Sequence, residues 1–303
     1  MEKLYKVAGF VFRLGLPDES PVWKLLGNYS PFEQENQSGY EPECIFSINL
    51  CDSLYDSAAE PYYMDSPENA DMPKIDIFRQ SGGYLFRMYV SSRDKSPYSL
   101  WLSSDFSNGL LQKYDVGKAG RFPVDNALML AFALRTAGLD TLEMHASVTV
   151  KDGKGYLFLG QSGTGKSTHS RMWLENIPGT RLLNDDNPVV RVLDDGQVRV
   201  YGTPWSGKTP CYVNSDCPVG AFVAIQQYPE NIAVRMNLIE SYASLYSSSS
   251  GMKMDRNMTD KLHQTLEKVL GTVPCWRMKC LPDADAAVVC CNNVCHGYSD
   301  SAE

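Results

Sequence analysis

The chain lacks the features of a membrane-spanning, exported or nucleic-acid-binding protein. Its 303 residues contain no apolar run of membrane-spanning length, and the opening residues MEKLY do not have the layout of a signal peptide. An excess of basic charge is also missing, because the net charge is −8, and nucleic-acid binding needs a positive surface. These absences predict a cytoplasmic protein with no membrane or nucleic-acid partner.

Cysteine is present, but without a disulfide or zinc pattern. The nine cysteines are an odd number, and the C-terminal group lacks the C-x₂-C spacing of structural zinc sites. That group consists of Cys275, Cys280, Cys290, Cys291, Cys295 and His296. Most of its members lie in apolar runs such as 284–295, so we expect buried thiols in a reducing compartment, with zinc binding as the alternative.

A complete phosphate-binding loop is the most informative feature of the sequence. Residues 160–168, GQSGTGKST, match G-x-x-x-x-G-K-[ST]. A predicted strand over 155–159 enters the loop, and a predicted helix over 166–176 directs its N-terminus at the phosphates. The pattern therefore predicts ATP and Mg²⁺ as cofactors. The residues expected to bind the nucleotide are Gly160, Ser162, Gly163, Thr164, Gly165, Lys166, Ser167 and Thr168.

The strand that enters the loop is expected to be half of a β-hairpin. The apolar runs 142–150 and 155–159 are joined by a short connector that contains Asp152 and Gly153, a pair typical of tight hairpin turns. An antiparallel predecessor argues against Ras-like and RecA-like cores, where this strand belongs to a parallel sheet.

A pair of carboxylates follows the loop. Residues 181–186, RLLNDD, are typical of a short strand that ends in Asp185 and Asp186. After one helix, the chain is expected to return to the sheet as the neighbour of the strand that enters the loop. Carboxylates at a strand end beside a phosphate loop are suited to binding Mg²⁺ or accepting a proton. The alternative is that 184–188 is only a polar turn.

Three segments together resemble a known family. Residues 144–147 (MHAS), 158–168 (FLGQSGTGKST) and 181–186 (RLLNDD) are similar, in this order, to the core of HPr kinase/phosphorylases and ATP-dependent phosphoenolpyruvate carboxykinases. The resemblance covers 142–210. It implies an α/β (α+β) fold in which a P-loop kinase core has a mixed or largely antiparallel sheet. It also implies that His145 faces the active site, where it lines the site or holds a second metal.

The loop motif and the resemblance together assign roles to the other site residues. Lys166 is expected to contact the β- and γ-phosphates, and Ser167 and Asp185 to share Mg²⁺. Asp186 is expected to take a proton from an attacking hydroxyl. The alternative is that Asp186 binds Mg²⁺ and Asp185 accepts the proton. The implied activity is transfer of the γ-phosphate to a hydroxyl of a peptide, protein or small molecule.

Two departures from the family leave other functions open. The chain is short for a carboxykinase, and its first 140 residues show no Arg- and Lys-rich organic-acid site. Residues 198–208 contain no Glu, unlike the signature of HPr kinases at this point. We therefore favour an HPr-kinase-like small kinase, with a short carboxykinase relative or a non-catalytic ATP-binding sensor as alternatives.

Residues 202–208, GTPWSGK, form a turn-rich loop after a predicted strand at 197–201. Lys208 is a candidate catalytic residue that would neutralise charge on the transferring phosphoryl group. Trp205 would wall a pocket there. The alternative is a surface loop with a buried, anchoring Trp205 and a solvated Lys208.

The remaining sequence predicts a β-rich N-terminal domain over 1–120 and a nucleotide-binding kinase domain over 121–303. The first is expected to serve recognition, docking or homo-oligomerisation, or to be scaffold. Its expected strand regions are 6–16, 44–50, 75–91 and 98–103. Further helices are expected at 122–135, 237–246, 255–270 and 282–294, with strands at 219–227 and 275–281. The serine run 247–252 predicts a flexible break or lid hinge.

Overall fold

The computed structural model describes residues 1–34, 42–54, 59–67, 69–207 and 209–295. The chain divides into two compact units, Met1–Arg135 and Thr136–Glu303. Each is built on a nine-stranded sheet with parallel and antiparallel neighbours. The architecture is therefore mixed α/β, with large sheets and few helices. Within the described ranges, no helix is long and apolar enough to cross a membrane.

The first unit is rich in β-structure. Its strands are β1 (Glu2–Val7), β2 (Phe10–Gly15), β3 (Glu33–Gln34), β4 (Cys44–Cys51), β5 (Glu60–Tyr63), β6 (Lys74–Gln80), β7 (Gly83–Tyr89), β8 (Tyr98–Ser103) and β9 (Asn108–Gln112). They lie in the order β3-β1-β2-β4-β9-β8-β7-β6-β5. The helical elements are a 3₁₀ helix (Pro21–Phe32), α1 (Val116–Ala119) and α2 (Phe122–Thr136). The apolar region predicted at 75–91 folds into the β6–β7 hairpin.

Helix α2 packs on the first sheet. The Phe132 ring meets Phe12 edge-on with 6.3 Å between ring centroids, and Arg135 Nε donates to the carbonyl oxygen of Ile45 at 2.8 Å. These contacts group α2 with the first unit, so the division falls at residue 135. The sequence-based prediction, with its boundary at residue 120, places this helix with the second domain.

The second unit carries the glycine-rich loop. Its strands are β10 (Thr141–Glu143), β11 (Ala146–Lys151), β12 (Lys154–Leu159), β13 (Arg181–Asp186), β14 (Val189–Val192), β15 (Val198–Tyr201), β16 (Asp216–Gln227), β17 (Ile232–Arg235) and β18 (Cys275–Cys280). Its helices are α3 (Lys166–Asn176), α4 (Leu238–Ser248), α5 (Arg256–Leu270) and α6 (Ala284–Val294). The strand order is β10-β14-β15-β16-β12-β11-β13, and β18 pairs with β16 and β17.

The predicted hairpin is confirmed for residues 146–159, whereas residues 142 and 143 of the predicted run belong to β10, which pairs antiparallel with β14. Strands β11 and β12 pair antiparallel from Ala146 opposite Leu159 to Lys151 opposite Lys154. The turn uses Asp152 and Gly153, whose φ angles of +50° and +75° match the left-handed residues of a tight hairpin turn. On its other side β12 pairs parallel with β16. The sheet is therefore mixed, as the family resemblance implied.

The position expected for the aspartate-bearing strand is wrong by one strand. Strand β13 pairs antiparallel with β11 and not with β12. The physical reason is that β12 already has a hydrogen-bonded neighbour on each side, β11 and β16. The strand that ends in the two aspartates must therefore extend the sheet beyond β11.

The second sheet is covered by helices on both faces. Successive residues of β12 alternate between two cores because side chains of a strand point to opposite faces. Tyr156 and Phe158 pack in the core that also holds Trp173 of α3, whereas Leu157 and Leu159 pack in the core with residues of α4 and α5. The strand is thus buried on both sides, which explains its nearly continuous apolar sequence.

The C-terminal cysteines lie largely inside the second unit. Cys275, Cys280, Cys290 and Cys291 are buried, and Cys295 is half-buried. Their thiols are free, in agreement with the prediction of buried thiols. His296 lies outside the described residues.

A glycine substitution tests the close packing of the second sheet. At Gly202, which follows β15, an added Cβ would overlap the carbonyl oxygen of Val213 and lie 3.1 Å from that of Leu183. Gly202→Ala should therefore destabilise the unit by about 1–3 kcal/mol, the range for overpacking. Gly271→Ala is the matched control, because its Cβ would come no nearer than 3.5 Å to Glu267 O. Urea unfolding of both variants measures the difference, and equal stability would contradict this packing.

Candidate functional site

The glycine-rich loop 160–168 joins the end of β12 to the start of α3. Gly160, Gly163 and Gly165 have φ angles of +146°, +85° and +105°, which residues with a side chain rarely adopt. Gly165 is the N-cap of α3, and a glycine brings no side chain to occupy the first N–H groups of the helix. The loop and the helix terminus together present N–H donors suited to an anion.

Lys166 begins the helix and folds back over the loop. Its ammonium group donates to the carbonyl oxygens of Gly160 at 2.9 Å and Gln161 at 3.3 Å. Burial lowers the pKa of Lys166, while the negative charges of Asp186 and Asp185 act in the opposite direction. The cation and both carboxylates therefore lie within electrostatic reach of one another. The structure brings these three predicted site residues together.

Asp185 is the buried member of the aspartate pair. It is only 3% exposed, and its Oδ1 has no hydrogen-bond partner among the residues that the structure describes. Its backbone carbonyl accepts from Gly207 N at 2.6 Å. A buried carboxylate oxygen without a partner is costly unless a ligand or ion satisfies it. The carboxylate of Asp185 is therefore suited to binding a cation.

Asp186 is the accessible member and is held in a strained conformation. Its φ of +151° is unfavourable for a residue with a side chain, and such strain concentrates at functional sites. Its Oδ1 lies 3.0 Å from His145 Nδ1, and the two side chains are 34% and 41% exposed. The polar-turn alternative for this segment is wrong, because Asp185 and Asp186 belong to strand β13.

His145 is positioned by the serine run that follows α4. Its backbone N–H donates to Ser248 O at 2.7 Å, and Met144 forms a β-bridge with Ser249. Ser248 and Ser249 are buried. The expectation of a flexible break is wrong at Ser248 and Ser249, because their backbone contacts with the His145 segment hold these two serines inside the unit.

Asn184, which the sequence reasoning did not select, connects the aspartates to the loop after β15. Its Nδ2 donates to Thr203 Oγ1 at 3.0 Å and to Trp205 O at 3.3 Å. The signal available in the sequence was an asparagine inside a strand, where asparagine is depleted. Trp205 is 3% exposed, so it is a buried anchor and not a pocket wall open to solvent. Lys208 lies outside the described residues.

Glu143 is a second site residue that sequence reasoning missed. It is 2% exposed, and its Oε1 finds no hydrogen-bond partner within the described ranges. Burial raises the pKa of Glu143 to about 8; the charge of Asp186 adds to this rise, and a hydrogen bond from Ser250 opposes it. The carboxyl group is therefore mainly protonated at pH 7 and uncharged beside Asp186.

A cavity of about 380 Å³ lies beside the loop. Its lining includes Gly163, Thr164 and Gly165 of the loop and Thr168, His169 and Met172 of α3. The opposite lining comes from the ends of β16 and β18 and the residues after them, namely Ile225, Gln227, Tyr228, Cys280, Leu281 and Pro282. Since β12, β16 and β18 are parallel, the cavity lies at their carboxyl edge, where ligands of α/β sheets bind.

The residues present fit Mg²⁺ that is shared with a phosphate group. No cluster of three His, Cys, Asp or Glu side chains suited to a metal occurs in the described part of the chain. Mg²⁺ does not require one, because it is commonly held by one or two carboxylates, substrate phosphates and water. The unpartnered oxygen of Asp185 and the exposed Ser167 hydroxyl are the protein groups suited to this role.

The buried Glu143 predicts an unusual pH dependence of stability. Its folded-state pKa of about 8 lies above the ordinary value of 4.5, so between these pH values the folded state holds a proton that the unfolded state has lost. Stability therefore falls as pH rises through this window. Glu143→Gln should remove the fall and stabilise the protein at pH 8 by on the order of 4 kcal/mol relative to wild type.

Urea unfolding between pH 5 and pH 8 measures this effect. Glu175→Gln is the control, because Glu175 of α3 is 61% exposed and should leave the pH profile unchanged. A Glu143→Gln profile that runs parallel to that of wild type would contradict the assignment of a protonated carboxyl.

Comparison with known proteins gives little further information. No protein-family model matches the chain, and no curated protein matches it. A solved structure of the HPr(Ser) kinase/phosphatase from Coxiella burnetii is similar at 13% identity and a TM-score of 0.27, covering 49% of this chain and 90% of that chain. A similarity this weak carries no argument about activity, so the functional conclusion depends on the residues of the site.

Proposed function

We propose that this protein is a Mg²⁺-dependent ATP phosphotransferase that moves the γ-phosphate to a hydroxyl group of a peptide, protein or small molecule. The observation that carries the proposal is the convergence of the glycine-rich loop, Lys166 and the two aspartates at one edge of the second sheet. The loop supplies donors for an anion, the lysine a positive charge, and the aspartates a metal ligand and a proton acceptor.

The triphosphate would lie against the N–H groups at the start of α3. Lys166 would exchange its two carbonyl contacts on the loop for the β- and γ-phosphate oxygens. Asp185 and Ser167 would hold Mg²⁺ together with the phosphate oxygens. When bound, the ion neutralises charge that develops on the transferring phosphoryl group.

Asp186 is the better candidate for the base. Its side chain is partly exposed, so an acceptor hydroxyl can reach it, whereas Asp185 is buried. His145 orients the Asp186 carboxylate through the contact between Nδ1 and Oδ1. The second carboxylate oxygen of Asp186 is then available to accept the hydroxyl proton as the oxygen attacks phosphorus. The neutral Glu143 lowers the repulsion that an ionised neighbour would impose on Asp186.

Lys166→Ala tests nucleotide binding. The variant should bind MgATP at least tenfold more weakly, because it loses a charge-assisted contact to the phosphates that corresponds to about 1.5–3 kcal/mol. Lys154→Ala, an exposed lysine on β12, removes the same charge outside the site and should bind normally. Isothermal titration calorimetry measures both affinities. Unchanged MgATP affinity in Lys166→Ala would show that the loop is not a phosphate site.

Asn substitutions of the two aspartates test catalysis. Asp185→Asn should lose Mg²⁺-dependent ATP affinity, because a charged oxygen ligand is removed. Asp186→Asn should bind MgATP nearly normally but transfer phosphate roughly 10²–10⁴-fold more slowly, the range for a lost general base. The exposed Asp194→Asn is the control for the charge change.

Phosphate transfer is measured by mass spectrometry after incubation with isotope-labelled ATP and free serine, serine peptides or cell extract. Wild-type transfer rates in both variants would remove the aspartates from the chemistry. A wild-type protein that binds MgATP but modifies no acceptor would instead favour an ATP sensor.

A further inference from the structure

The cavity beside the loop extends from the proposed phosphate site along helix α3. One face of α3 lines it through Gly165, Thr168, His169 and Met172, which lie one above the other at helical spacing. The same helix begins at the glycine-rich loop. A nucleotide whose phosphates occupy the loop would therefore extend its nucleoside end along this helix face and into the cavity.

His169 contributes a fixed polar group to this lining. The residue is 1% exposed, and its ring meets Phe158 edge-on with centroids 4.8 Å apart. Trp173 Nε1 donates to His169 Nε2 at 3.2 Å. Because Nε2 accepts this hydrogen bond, the ring proton must be on Nδ1. The tryptophan thus selects the tautomer and orientation of the histidine.

His169 lines the cavity and carries one further polar ring atom, Nδ1. Nδ1 is buried and has no hydrogen-bond partner in the part of the chain that the structure describes. Leaving a buried donor unpaired costs about 1–3 kcal/mol, a cost that a ligand acceptor would remove. Most of the surrounding lining is apolar or aromatic, including Met172, Ile225, Tyr228 and Leu281. Such a pocket with one placed donor suits a flat heteroaromatic ring that carries an acceptor.

We propose that this cavity binds the purine base of ATP and that His169 Nδ1–H donates a hydrogen bond to a ring nitrogen of that base. The proposal rests on the proposed nucleotide-binding function. A purine is the best fit because its two fused rings bury more apolar surface against the lining than a pyrimidine does, and its ring nitrogens accept hydrogen bonds. His169 is then a residue that determines base specificity, distinct from the residues that hold the phosphates.

Two substitutions of His169 test the roles of its ring nitrogens, Nδ1 and Nε2, separately. His169→Gln places an amide oxygen near the Nε2 position, so it can still accept from Trp173 but loses the Nδ1 donor. His169→Asn places an amide N–H near the Nδ1 position, so it keeps the donor and loses the acceptor for Trp173. The ligands are MgATP and magnesium tripolyphosphate, which has the phosphates but neither base nor ribose. Calorimetry gives the affinities, and circular dichroism with thermal melting confirms folding.

Wild type should bind MgATP more tightly than tripolyphosphate. His169→Gln should lose about tenfold in MgATP affinity with tripolyphosphate binding unchanged, and His169→Asn should retain most of the preference for ATP. Unchanged preference for ATP in His169→Gln would overturn the assignment of His169. If wild type binds neither ligand, the proposed function fails instead, so the two failures are distinguishable.

A measurement on the wild-type protein covers the case in which a variant does not fold. The 1-deaza, 3-deaza and 7-deaza analogues of ATP each replace one ring nitrogen with C–H and leave the phosphates intact. One of them should bind wild type about tenfold more weakly than ATP. Equal affinity for all three analogues and ATP would overturn the proposed hydrogen bond.

Discussion

The pairing of β11 with both of its neighbours is the constraint on which the site depends. Ala146 lies opposite Leu159, the last residue of β12 before the loop, and also opposite Asp186 at the end of β13. One register therefore brings His145, the glycine-rich loop and the aspartates to the same edge of the sheet. A slip of one residue would turn the side chains of β11 to the wrong faces and move the aspartates away from the loop.

The site concentrates features that are unfavourable for stability. Asp186 has a strained backbone, and Glu143 holds a carboxyl group inside the unit. Within the residues that the structure describes, Asp185 Oδ1 and His169 Nδ1 have no hydrogen-bond partner. Elsewhere the second unit has apolar cores on both faces of its sheet. Those cores can offset the local costs, and the clustering of the costs supports a site built for ligands and not for stability.

The two halves of the proposed nucleotide site have different physical origins. The phosphate end uses backbone N–H groups, glycine conformations and a lysine, all within nine consecutive residues. The base end is assembled from a helix face and the ends of two parallel strands that are distant in the chain. The position of His145 also depends on a residue far from the loop, because its backbone N–H donates to the carbonyl oxygen of Ser248. The proposed phosphate site is thus local in sequence, whereas the proposed base site depends on the tertiary fold.

The sequence by itself determined the glycine-rich loop, the α3 helix from Lys166 to Asn176 and the β11–β12 hairpin. These features depend on interactions between residues close in the chain: glycine at positive φ, helical hydrogen bonds and a two-residue turn. The tertiary structure alone decided that β13 pairs with β11, that Ser248, Ser249 and Glu143 are buried, and that His169 lines the cavity. Those outcomes depend on which strands already have neighbours and which side chains lose contact with water. Such facts arise from contacts between residues far apart in sequence, so no local pattern encodes them.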